Sequence, residues 1–116
     1  MSQFQYLELA NTGPVSRIRL LVDGPCSVEM ITKLSNEWNS VADRADCQTL
    51  IIDCSNLRFL SSETLSRMIL LQRRLRQKKA KLALLGVNPE VREVLSWTKL
   101  DRFFELHDEE LAPALT

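Results

Sequence analysis

The chain has 116 residues, 45% of them apolar, with 15 basic and 15 acidic side chains and a formal net charge of zero. So large an apolar share excludes a disordered chain, and the length holds one domain able to bury roughly 65% of its unfolded surface. The charge balance lacks the basic excess with which a duplex-binding protein neutralises phosphates, so direct nucleic-acid binding is not expected.

The first residues, MSQFQYLELA, show no basic stretch leading into an apolar one, the mark of a secretory signal. No apolar run approaches the roughly 18 residues of a membrane span. A soluble, cytoplasmic protein without a membrane partner is expected. Three cysteines, Cys26, Cys47 and Cys54, stand at long, irregular spacings. An odd count without a CxxC pair fits neither a disulfide framework nor a zinc site, and reduced thiols are the simplest reading.

In chain order, Tyr6 to Leu9 and Val15 to Val22 alternate apolar and polar residues, the period of half-buried strands. Asn11-Thr12-Gly13-Pro14 between them is turn chemistry, which predicts a hairpin, and Asp23-Gly24-Pro25 ends the second strand. Val28, Ile31, Leu34, Trp38 and Val41 recur at helical spacing and predict an amphipathic helix, with Glu29 favourably placed in its first turn. Thr49 to Cys54 is a short apolar run that reads as a strand buried on both faces.

Ser61-Ser62-Glu63-Thr64 is rich in helix-capping residues and opens a helix carrying Leu65, Met68, Ile69, Leu71 and Leu75, ending near Lys78-Lys79. Lys81 to Gly86 reads as another buried strand. Pro89 suits the first turn of a helix with Val91, Val94, Leu95 and Trp97 on its apolar positions. Trp38 and Trp97 are both expected in the core. Phe103 to Leu106 predicts a last strand. One domain spans residues 1–116, with a core of about 4–107 and an acidic tail, 108–116, loose at its end. The order β-β-α-β-α-β-α-β means a mostly parallel sheet, made mixed by the opening hairpin, with helices packed against it: an α/β fold.

No catalytic apparatus is legible. The three glycines, Gly13, Gly24 and Gly86, are too far apart for a phosphate loop. The turn at Ser62 lacks the glycines of a nucleophile elbow, and His107, the only histidine, reads as a surface residue without a role. Carboxylates are scattered and metal ligands do not cluster, so neither an enzyme nor a cofactor or metal is expected. Arg67, Arg73, Arg74, Arg76, Lys78, Lys79 and Lys81 make the second helix and its exit basic. A solvated face that favours the helix dipole is one reading, and a groove for an acidic partner is the other.

Leu50-Ile51-Ile52-Asp53-Cys54-Ser55-Asn56-Leu57-Arg58-Phe59-Leu60-Ser61-Ser62-Glu63-Thr64-Leu65 resembles the signature of STAS domains. That signature is an apolar strand, an Asp, a small polar pair, an aromatic and an aliphatic residue, then Asp-Ser-Ser-Gly-Leu opening a helix. Lys81 to Leu95 resembles the family's next strand and helix, and Leu100-Asp101-Arg102-Phe103-Phe104 its closing segment. The likeness runs from about residue 15 to 107.

The resemblance implies an anti-sigma factor antagonist or a close relative. Such a bacterial protein binds an anti-sigma factor that is often itself a serine kinase. Phosphorylation of a serine at the helix start releases it, and a serine phosphatase resets it. Ser62 matches that serine by position. The docking surface implied is the Asp23 loop, Ser61, Ser62, Glu63, Thr64 and the first turns of the helix, including Arg67.

The chain departs from the signature in having Ser61 for its Asp, Glu63 for its second Ser and Thr64 for its Gly. Beside the switch stands the plainer reading that these hydroxyls are caps, each stabilising by about 1 kcal/mol. Two other possibilities share the fold: a scaffold subunit of a signalling complex that is never phosphorylated, and a small-ligand binder.

Overall fold

A computed structural model describes residues 4–12, 14–21, 27–58 and 60–107. The expectations placed on Gly13, on the Asp23 loop with Gly24, Pro25 and Cys26, on Phe59 and on the 108–116 tail lie outside the described residues.

The strands are β1 (Leu7–Thr12), β2 (Val15–Leu20), β3 (Thr49–Asp53), β4 (Lys81–Leu85) and β5 (Glu105–His107). The helices are α1 (Val28–Ala42), α2 (Ser62–Gln77) and α3 (Pro89–Trp97). They alternate as the periodicity predicts, and the sheet order is β1-β2-β3-β4-β5. β1 and β2 pair antiparallel from Leu7↔Leu20 to Thr12↔Val15, while β2–β3, β3–β4 and β4–β5 are parallel.

Alternation sorts the strand residues by face. Leu7, Ile18, Leu20, Leu50, Ile52, Leu82 and Leu84 join Leu34, Trp38 and Val41 of α1, Met68, Leu71 and Leu75 of α2, and Val91 and Leu95 of α3 in one core. The alternate residues Ile51, Ala83 and Leu85 form a separate small cluster against Val15. Burial of both sets is why the β3 and β4 sequences are continuously apolar. Cys47 and Cys54 are buried free thiols. Burial, with Asp53 adding to it, pushes the Cys54 thiol up to about 12, so it stays protonated and inert.

Three apolar assignments change. Trp97 is 78% exposed and Val94 is exposed as well. At 100° per residue, Trp97 lies about 200° around α3 from Leu95, and only the Val91–Leu95 stripe reaches the core. Val28 is 66% exposed because it occupies the first turn of α1, ahead of the buried stripe that starts at Ile31. The last strand begins at Glu105 rather than at Phe103. Phe103 and Phe104 instead turn the chain, both N–H groups donating to the Leu100 carbonyl at 3.0 Å, with their rings edge to face. The second strand ends at Leu20, two residues before Val22.

Candidate functional site at the start of α2

The polypeptide leaves β3 at Asp53 and reaches α2 through a loop tied to its surroundings at several points. Asp53 is buried. Its Oδ1 accepts from the Ser55 N–H at 2.9 Å, and its Oδ2 lies 3.6 Å from the Arg17 guanidinium. The Asn56 amide donates to the Leu20 carbonyl at 3.2 Å, anchoring the loop to the end of β2. The Asn88 side chain donates to the Leu57 carbonyl at 2.9 Å while its Oδ1 caps α3 by accepting from Val91 N–H at 2.8 Å. Gly86 crosses behind the loop at φ +70, where a Cβ would stand 3.4 Å from that of Ser55. A left-handed residue in so close an approach favours glycine.

This support fixes the first turn of α2. Ser61 is the N-cap: its Oγ accepts from Thr64 N–H at 3.1 Å and shares a hydrogen bond with Thr64 Oγ1 at 2.9 Å. Thr64 is 5% exposed and faces the core, so it secures Ser61 and presents almost nothing to a partner. Ser62, the first helical residue, is exposed, and among the described residues its hydroxyl has no hydrogen-bond partner. Glu63 Oε1 accepts from Arg67 Nε at 3.0 Å. The same guanidinium reaches Ser35 Oγ at 3.3 Å and Thr32 Oγ1 at 3.2 Å, binding the start of α2 to α1. Arg67 is thus committed within the fold and presents only part of its surface outward.

Of the six residues expected to form the docking surface, the structure gathers Ser61, Ser62, Glu63, Thr64 and Arg67 at the cap and within the first two turns of α2; Asp23 lies outside the described residues. Beside the loop, Leu21, Ser55, Asn56 and Arg58 line a shallow, mostly polar depression of about 300 Å³, and Leu21 is exposed at the end of β2. Sequence reasoning passed over these four. Ser55, Asn56 and Arg58 carried a signal only as part of the signature stretch after Asp53.

The chemistry available here is that of an anion-receptive helix end. The first N–H groups of α2 lack intrahelical acceptors and carry the positive end of the helix dipole. Ser61 satisfies one of them, and Glu63 contributes the only first-turn carboxylate. His107 lies on β5, its Nε2 2.7 Å from Glu105 Oε1. Among the described residues no group of three or more His, Cys, Asp or Glu is placed to hold a metal ion, and no helix is long and apolar enough to cross a membrane.

Comparison with known proteins follows the same lines. The family model of the STAS domain matches residues 7–112. Among solved structures, the anti-sigma factor antagonist SpoIIAA in its unphosphorylated form aligns with a TM-score of 0.73 at 20% identity, over 91% of each chain. The Bacillus cell fate determinant SpoIIAA in the phosphorylated form aligns at 0.70 and 19%, over 93% of this chain and 96% of that one. A putative anti-sigma factor antagonist from Thermotoga maritima reaches 0.76 at 16%, over 94% and 91%. A search of curated proteins returns no match.

Proposed function

Because this chain belongs to the STAS domain family, we propose that it is a cytoplasmic, non-enzymatic binding module of the anti-sigma factor antagonist kind, docking an anti-sigma factor with serine-kinase character through the start of α2. Phosphorylation of Ser62 releases that partner, and a serine phosphatase restores binding. The observation that carries the reading is the division of labour between adjacent serines. Ser61 is consumed in capping, whereas Ser62 presents an exposed hydroxyl without a hydrogen-bond partner among the described residues. A phosphate on Ser62 would sit at a helix end that tolerates an anion. It would also add a charge of about −1.5 to −2 to any packed interface formed there. Only about 1.4 kcal/mol of that repulsion and desolvation is needed to weaken binding tenfold.

Incubation of the full chain with ATP and candidate anti-sigma kinases, followed by mass spectrometry, tests the switch. Phosphate on Ser62, with loss of the complex, is the expected result. Phosphate on another residue, or on none with any kinase that binds the chain, overturns it.

One observation favours a second reading, that of a constitutive scaffold subunit. Glu63 already places a carboxylate in the first turn of α2, paired with Arg67, so a phosphate on Ser62 meets a like charge next to it. Under this reading a Ser62→Ala chain retains and releases its partner in cells as the parent does.

A further inference from the structure

The basic run along α2 separates, in three dimensions, into cations the fold has used and cations it has not. Arg67 is bonded to Glu63, Arg74 to Asp43, and Lys78 to two carbonyls at the end of α1. Beyond them, Arg76 and Lys81 join Arg102, from the segment between α3 and β5, along a groove of about 420 Å³. Among the described residues none of these three is within ion-pair distance of a carboxylate. Arg76 lies 5.0 Å from the centre of the Phe103 ring, which forms an apolar wall of the groove. The groove's one carboxylate, Glu105, is held 2.7 Å from His107 Nε2. In a chain whose formal net charge is zero, three cations against the single carboxylate of Glu105 make this a local positive excess among the described residues.

From this sorting we infer that the groove between the last turns of α2 and the start of β5 is a second docking surface, for an acidic, carboxylate-rich segment of a partner protein. It is independent of the Ser62 switch. Arg76 stands 14 residues along α2 from Ser62, about 21 Å at 1.5 Å per residue. Charge complementarity selects the occupant: exposed guanidinium and ammonium groups over an open groove suit a run of carboxylates, with Phe103 available to an apolar neighbour. Three cations fall short of the roughly 6–10 phosphate contacts that sustain nucleic-acid binding. A small anion would need convergent buried donors, and the buried amide of Gln72 is already given to the Phe103 carbonyl at 2.9 Å.

The test is an NMR titration of the full chain, at low ionic strength, with hexaglutamate, hexalysine and hexathymidylate as probes. Saturable shifts are expected with hexaglutamate alone, at the Arg76 and Arg102 Nε–H groups and the backbone of 81–82 and 103–105. R76Q/R102Q should weaken the interaction at least tenfold, Ser62→Ala should leave it unchanged, and added salt should erode it. Should the double variant melt early, Lys81→Gln in the parent chain serves instead, with a loss of at least threefold.

Three results overturn the inference. Shifts spread equally over Arg73, Lys79 and Lys99 would mean unselective attraction, and tighter binding of hexathymidylate would assign the groove to nucleic acid. Tenfold tighter hexaglutamate binding by the full chain carrying D108N, E109Q and E110Q would make the chain's own tail the occupant. None of these outcomes bears on phosphorylation of Ser62.

Discussion

The two ends of α2 are built to opposite electrostatic plans. α1 and α2 both follow strands that pair in parallel, so their C-terminal ends come together at one pole of the domain. There the cations of α2 meet the end of α1. Arg74 forks onto the α1 C-cap residue Asp43 with two bonds of 2.7 Å, and Lys78 donates to the Ala42 and Arg44 carbonyls at 2.8 and 2.7 Å. Unpaired carbonyls and the negative dipole end are thereby answered from a neighbouring element. At the other pole the unpaired N–H groups are answered locally, by one capping serine and one first-turn carboxylate, and among the described residues Arg67 alone reaches across to α1. The contrast teaches where the fold has spent its polar groups on itself and where it has left one outward-facing hydroxyl, Ser62, on a rigidly held turn.

Between those ends α2 is held by its buried stripe, and the comparison fails if one pole rather than that stripe holds the helix. Leu75, fully buried and flanked by Arg74 and Arg76 in the last turn of α2, is therefore the severest point. Leu75→Ala should cost about 2–5 kcal/mol through lost burial and the cavity it leaves. Urea denaturation measures this from the shift in midpoint. A loss no larger than that of an exposed substitution would show that polar contacts, and not the core, fasten the helix.

A smaller effect separates the two serines. Ser61→Ala should destabilise by about 1 kcal/mol, since Thr64 N–H and Thr64 Oγ1 both lose their partner. Ser62→Ala should stay within about 0.5 kcal/mol of the parent, as an exposed substitution that breaks no bond. Equal losses in paired urea curves would erase the distinction between a structural and an outward-facing hydroxyl.

That distinction shows how far sequence reasoning reaches. The Ser61–Thr64 stretch was legible as a helix start because capping residues precede a periodic apolar run, but spacing alone does not say which hydroxyl turns inward. The apolar runs of β3 and β4, buried on both faces, and the parallel order of the sheet were equally plain. What the sequence hid depends on contacts distant along the chain. Arg67 to Glu63 is an i,i+4 pair any helix offers, yet its bonds to Thr32 and Ser35 span 35 and 32 positions. Asn88 reads as a cap, not as the residue that also holds the loop at Leu57. The basic run gave no sign of which cations the end of α1 would take. Trp97 was misplaced for another reason: α3 has nine residues, and so short a helix fits an apolar stripe through several angles, of which tertiary packing chose the one through Val91 and Leu95.

The Asp43–Arg74 pair gives the smallest effect and the finest test of the polar contrast. Hydrogen bonding from Arg74, with its charge and that of Lys78 adding to it, outweighs desolvation and holds the Asp43 carboxyl below the usual range. A carboxyl depressed in the folded state adds stability above its unfolded value of about 3.9, and that contribution disappears as pH falls through the folded value. Both partners are about half exposed, so solvent screening keeps the pair's worth under about 1 kcal/mol. Asp43→Asn should therefore lower stability slightly at pH 7. The gap from the parent should close between pH 5 and strongly acid conditions, and shrink at neutral pH in high salt. Paired urea melts across that range decide it. A gap that persisted in acid, where the parent's Asp43 is protonated, would mean that the carboxyl's shape and not its charge joins the two helix ends, and the two poles of α2 would then differ in packing alone.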